Sequence, residues 1–122
     1  MGEGILKMKL RCAVDLDAKG KLYCPQPRDR RASGNLDMRL TKYGGDLFLV
    51  AENGAAMSIP NSAHGDCRDA KYREASVRVN GLGPRVDFCV RTKLGGIAHV
   101  FFVEDVERES PEISLWHVTR KP

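Results

Sequence analysis

Residues 86 to 103 constrain the fold more than any other stretch: Val86-Asp-Phe-Cys-Val-Arg-Thr-Lys-Leu-Gly-Gly-Ile-Ala-His-Val-Phe-Phe-Val103. Two apolar runs flank Leu94-Gly95-Gly96. In the first run Val86, Phe88 and Val90 fall on one face, and Asp87, Cys89 and Arg91 on the other. That period of two marks a strand with one buried face. The second run, Ile97 to Val103, is apolar at nearly every position, which predicts a strand covered on both faces. Gly95 and Gly96 tolerate the positive φ that a tight turn needs. A central β-hairpin supplying much of the core is therefore expected.

The remaining chain repeats this grammar in shorter pieces. Between residues 5 and 14, Leu6, Met8, Leu10 and Cys12 alternate with Lys7, Lys9 and Arg11, which predicts one strand with a wet face. Asp17-Ala-Lys-Gly20 reads as a turn. Residues 25–35, rich in proline and charge, read as an exposed loop. Leu36–Leu40 alternates, and Gly44-Gly45 breaks it. Asn53-Gly54 between apolar runs predicts a hairpin joining 46–51 to 55–59. Asn61–Tyr72 is polar, with a helical turn expected near 66–72, where Asp66 can cap and Tyr72 can reach back. Ala75–Val79 and Glu112–Thr119 alternate again. About eight to ten short strands without a long helix predict an all-β fold, an antiparallel sandwich or barrel. Pattern alone does not choose between the two.

The chain of 122 residues fits one domain, 1–122, with one core. No apolar run approaches the roughly 18 residues of a membrane span, and Met1–Lys7 carries no apolar signal region. A net charge of +4 is spread along the chain, with one cluster at Arg28, Arg30 and Arg31 that reads as a solvated loop. Aromatic residues make up 7%, too few for a base-stacking platform, so nucleic acid is not an expected partner.

Four cysteines, Cys12, Cys24, Cys67 and Cys89, allow three pairings. Cys12 and Cys24 flank the turn after Asp15 and face each other if 9–14 and 20–24 form a ladder. Cys67 lies in the polar crossover and Cys89 in the central hairpin. The preferred pairing is Cys12–Cys24 with Cys67–Cys89, in an oxidising, extracytoplasmic compartment. Four reduced thiols in a cytoplasmic protein are the alternative.

The segment Cys67-x-x-Ala70-x-Tyr72, followed by Phe88-Cys-Val-Arg-Thr92 and Gly95-Gly96-x-Ala98, resembles a β-rich accessory domain of actinobacterial proteins. That domain is appended to serine/threonine kinases or occurs in secreted and lipid-anchored proteins. Val14-Asp-Leu-Asp17 and Asn53-Gly54 are similar as well, so the resemblance touches most of the chain, with its specific part in 67–98. It implies a Cys67–Cys89 bridge and a compact extracytoplasmic module with no reaction and no catalytic residues. Cys12 and Cys24 are less typical of it.

Few residues suggest chemistry. His64, Asp66 and Cys67 lie together, and a cysteine beside a histidine is either a nucleophile with its base or half of a metal site. Cys89 with His99 or His117 would complete the latter. A disulfide at Cys67 forecloses both, and no spacing is diagnostic of zinc. Asp15-x-Asp17-x-Lys19-Gly20 superficially matches a calcium loop. Lys19 stands where a ligand oxygen is required and Gln26 where a glutamate closes the loop, so no metal and no cofactor are expected. No Gly-x-Ser-x-Gly elbow occurs. Trp116 falls opposite Ile113 and Leu115. Core is the default placement for it. On an exposed sheet, Trp116 with Arg91 and His64 would instead form a minimal binding site.

The expected function is a non-catalytic binding or accessory module with a protein or carbohydrate partner. Two alternatives stand beside it. One is a small hydrolase or nuclease using His64 with acidic neighbours; the other is an interaction domain of a larger assembly that pairs through its edge strands.

Overall fold

In the computed structural model, residues 2–24, 35–61 and 67–120 are described. The described residues form ten strands and two single 3-10 turns. The strands are β1 (Gly2–Lys9), β2 (Ala13–Asp15), β3 (Lys21–Tyr23), β4 (Met38–Tyr43), β5 (Asp46–Ala51), β6 (Ala56–Met57), β7 (Ser76–Arg78), β8 (Asp87–Arg91), β9 (Ile97–Phe102) and β10 (Glu112–Arg120). They make two five-stranded sheets, ordered β1-β10-β9-β8-β6 and β3-β2-β4-β5-β7, with every pairing antiparallel. One buried cluster draws Leu6, Met8, Phe88, Val100 and Leu115 from the first sheet and Val14, Met38, Leu40, Leu49 and Val77 from the second. Two sheets sharing one core between their inner faces are a sandwich.

The central hairpin forms as its alternation requires. Phe88 and Val90 point into the core, and Asp87, Cys89 and Arg91 point out. Phe88 pairs with Val100 and Cys89 with His99 across β8–β9. Gly95 takes φ +87° in the turn, and Thr92 N–H donates to the Gly96 carbonyl to close it. β9 is less covered than its composition implies. Ala98, Val100 and Phe102 are buried, whereas Ile97, His99 and Phe101 are only half-buried on the outer face.

Two expected elements are corrected. Residues 5–14 are not one strand. β1 ends at Lys9, Arg11 adopts φ +76°, and β2 starts at Ala13 in the other sheet. Cys12 N–H donates to the Lys9 carbonyl and Arg11 N–H to that of Leu40, so the bend has local hydrogen bonds of its own. Leu10, placed inside by the alternation, is exposed. The Asn53-Gly54 turn forms, with φ +54° and +87°, but it joins no hairpin. β4 and β7 already occupy both edges of β5, so β6 crosses to the first sheet and pairs with β8. The strongest local hairpin signal here makes a crossover, because a strand has only two edges.

The sheets are stitched at one side by Met57 and Glu74, which exchange two backbone hydrogen bonds. The 3-10 turn Leu16–Ala18 lies between β2 and β3, capped by the Asp15 carboxylate, which accepts from Ala18 N–H. The helical turn expected at 66–72 is a shorter 3-10 turn, Cys67–Asp69. Tyr72 reaches back over it, and its hydroxyl donates to the Cys67 carbonyl at 2.7 Å. Asp66, most of the 25–35 loop and its arginine cluster lie outside the described residues.

Candidate binding face

The outer faces of the two sheets differ in character. On the second, Arg39, Thr41, Phe48, Ser76 and Arg78 alternate with the core positions, and Arg39 is bound by Glu52. On the first, strand register lines up three rows. Ile5, Trp116, Phe101 and Asp87 form one row across β1, β10, β9 and β8. Glu3, Val118, His99 and Cys89 form the next. Arg120, Ile97 and Arg91 form the third.

A disulfide-held strap covers one end of this face. Cys12 is bonded to Cys24 and Cys67 to Cys89, the expected pairing. The Cys67–Cys89 bond draws the 3-10 turn onto β8 and β9, and Ala70, Tyr72 and Ile97 pack against the disulfide. The Arg91 guanidinium lies over the Tyr72 ring, 5.6 Å from its centroid. Tyr72→Phe removes the hydroxyl bond that folds the strap back on itself. It is expected to lower stability by about 1 kcal/mol, read as a shifted urea midpoint at unchanged slope.

The opposite end of the face is open. Ile5 is 58% exposed and Trp116 37%, with Phe101 half-buried beside them. This corrects the core placement of Trp116. Alternation sets it opposite Ile113 and Leu115, and those two residues fill the interior. His117, its neighbour, points inward and is 1% exposed. Burial holds the His117 imidazole below its usual pKa, opposed in part by Glu3. Arg91 shares the outer face with Trp116 but sits two strands and four residues away, about 16 Å by ordinary strand spacing. The two residues therefore bound a surface and do not converge on one pocket. His64 lies outside the described residues.

His99 is the one histidine on this face whose partner is defined. Its Nε2–H donates to Asp87 Oδ2, and its ring stacks on Phe101 with centroids 4.1 Å apart. Ligand atoms of His99, Cys67 and Cys89 lie within 4.8 Å of one another, which brings together three of the residues weighed for a metal site. Both sulfurs are spent in the disulfide. Neither is a thiolate, so in the oxidised protein the cluster offers no nucleophile and no sulfur ligand. Comparison with known proteins finds nothing similar: no family model, no curated protein and no solved structure matches the chain.

A second cluster was not assembled by sequence reasoning. Asp15, Asp17 and Asp37 bring carboxylate oxygens within 4.8 Å of one another. Asp15 caps the 3-10 turn that contains Asp17, and Asp37 precedes β4. Asp37 Oδ2 accepts from Leu16 N–H at 2.8 Å and Oδ1 from Lys93 N–H at 2.7 Å. Thr92, in the central hairpin turn, donates its hydroxyl to Asp17 Oδ1 at 2.8 Å. Burial raises the Asp37 pKa to about 6, against the pull of its two backbone donors and with help from the neighbouring Asp17 and Asp15 charges. The available signal was Asp15-x-Asp17. The third carboxylate lies 20 residues beyond Asp17, out of reach of any local motif.

Proposed function

We propose that this protein is a non-catalytic binding module that engages a partner through the open end of the first sheet's outer face. The observation that carries this reading is the row Ile5–Trp116–Phe101, an apolar strip left uncovered on a sheet whose other face is core. A protein partner suits the strip better than a glycan. A sugar platform sets hydrogen-bonding groups around its ring, whereas the cross-strand neighbours of Trp116 are Ile5 and Phe101, both apolar. Edge pairing is a weaker route, because β1 places Lys7 and Lys9 on its exposed face, and lysines discourage strand addition.

The two disulfides fit an oxidising setting, so the module is read as extracytoplasmic. Among the described residues, no helix is long and apolar enough to cross a membrane.

Trp116 is the only tryptophan, so its emission reports on this face directly. Titration with soluble oligosaccharides is expected to leave the emission unchanged. A saturable shift would make the partner a glycan. Turnover of ester, phosphodiester or glycoside substrates is expected to be nil. Hydrolysis that disappears in His64→Ala would overturn the non-catalytic reading.

A further inference from the structure

We propose that Asp15, Asp17 and Asp37 hold a hard divalent cation where the central hairpin turn meets the second sheet. A cluster of carboxylates is common without an ion, so the argument rests on what surrounds this one. Asp37 is fully buried and Asp15 is 7% exposed. Among the described residues neither these two nor Asp17 has a lysine, arginine or histidine partner. Every donor that reaches them is neutral: three backbone amides, of Leu16, Ala18 and Lys93, and the Thr92 hydroxyl. Asp17 Oδ2 is sealed from solvent and accepts no hydrogen bond at all. A sealed, unpartnered carboxylate oxygen beside two buried carboxylates is costly unless a positive charge meets it.

The donor set states which charge. All candidate ligand atoms are oxygens, which select hard cations over zinc or copper. Each oxygen already holding one hydrogen bond keeps a second lone pair for a metal. The site is not the contiguous calcium loop that Lys19 and Gln26 disqualify. It is discontinuous, built from a 3-10 turn, the residue before β4 and the β8–β9 turn. Gly96 belongs to its wall, since a Cβ there would stand 2.7 Å from Asp17 Oδ1. Thr92 and Lys93, from the central turn of the first sheet, hydrogen-bond the carboxylates of the second, so a cation bound here sits where the two sheets meet.

The test uses the oxidised full chain freed of metal with EDTA and dialysed. Calcium, magnesium and manganese chlorides are titrated calorimetrically to about 10 mM, since extracellular calcium modules bind at about 0.1–1 mM. The proposal expects one saturable site per chain for at least one of the three. It also expects that ion to raise the Tm by about 5 °C at saturation. Asp17→Asn keeps an oxygen for the Thr92 hydroxyl and should fold; it is expected to weaken binding at least tenfold. Asp69→Asn, on the exposed Cys67–Asp69 turn, should bind as the parent does. Absence of binding by all three ions, or equal affinity in Asp17→Asn, overturns the proposal.

Discussion

Reduction of both disulfides is expected to lower stability by about 6 kcal/mol at 25 °C. Cys12–Cys24 and Cys67–Cys89 close loops with sequence separations of 12 and 22 residues. In the chain-entropy account each such bridge contributes about 3 kcal/mol by restricting the unfolded state. A domain of this size has a total margin of about 5–15 kcal/mol, so losing both consumes much or all of it. The two bridges are not equivalent. Removing Cys67–Cys89 frees the longer loop and also strips Ala70, Tyr72 and Ile97 of the disulfide they pack against. Cys67→Ala/Cys89→Ala should therefore cost more than Cys12→Ala/Cys24→Ala. Urea unfolding followed through Trp116 emission, with and without reductant, measures the first effect, and the two double variants measure the second. An unchanged midpoint under reductant would show that the sheets stand without the bridges.

Phe88→Ala is the single substitution expected to cost most, about 4 kcal/mol. Phe88 has no exposed surface, pairs with Val100 across β8–β9 and packs its ring against Phe102 with centroids 5.9 Å apart. Removing the ring leaves a cavity between two sheets whose backbones are pinned by ladders, so collapse around it is limited. Phe88→Leu keeps most of the volume and should cost less than about 1.5 kcal/mol. Tyr43→Ala, at a position 80% exposed at the end of β4, should fall within about 0.5 kcal/mol of the parent. Thermal or urea unfolding of the three variants gives the ranking. A Phe88→Ala cost no larger than that of Tyr43→Ala would mean that β8 is not at the centre of the core.

The sequence is most legible where local and global demands agree. In β8 the alternation of Phe88 and Val90 against Cys89 and Arg91 needs no correction, and Gly95 supplies the positive φ of its turn. The cysteine pairing follows because Cys12 and Cys24 flank a real turn and Cys89 faces away from the core. Legibility fails where tertiary structure overrides a local rule. Leu6, Met8, Leu10 and Cys12 alternate without a break, yet Arg11 turns the chain through the left-handed region without a glycine to announce it. Asn53-Gly54 makes its turn, but both edges of β5 are taken by β4 and β7, a pairing that no local pattern specifies. Trp116 was assigned by periodicity to the correct face and by residue type to the wrong side of the sheet. The carboxylate cluster was out of reach because Asp37 joins Asp15 and Asp17 only after β2 and β4 have paired.

The open end of the first sheet's outer face is the proposed contact surface. Photo-crosslinking tests it most directly. A photoreactive phenylalanine is placed at Ile5, 58% exposed on that face, and in a second protein at Tyr43, at the end of β4 in the other sheet. Both are irradiated in extracts of the cells that make the protein. The account predicts a protein adduct of defined mass from position 5 and not from position 43, reduced at least about tenfold by Trp116→Ala. Equal adduct from both positions, or adduct from position 5 indifferent to Trp116→Ala, would contradict it.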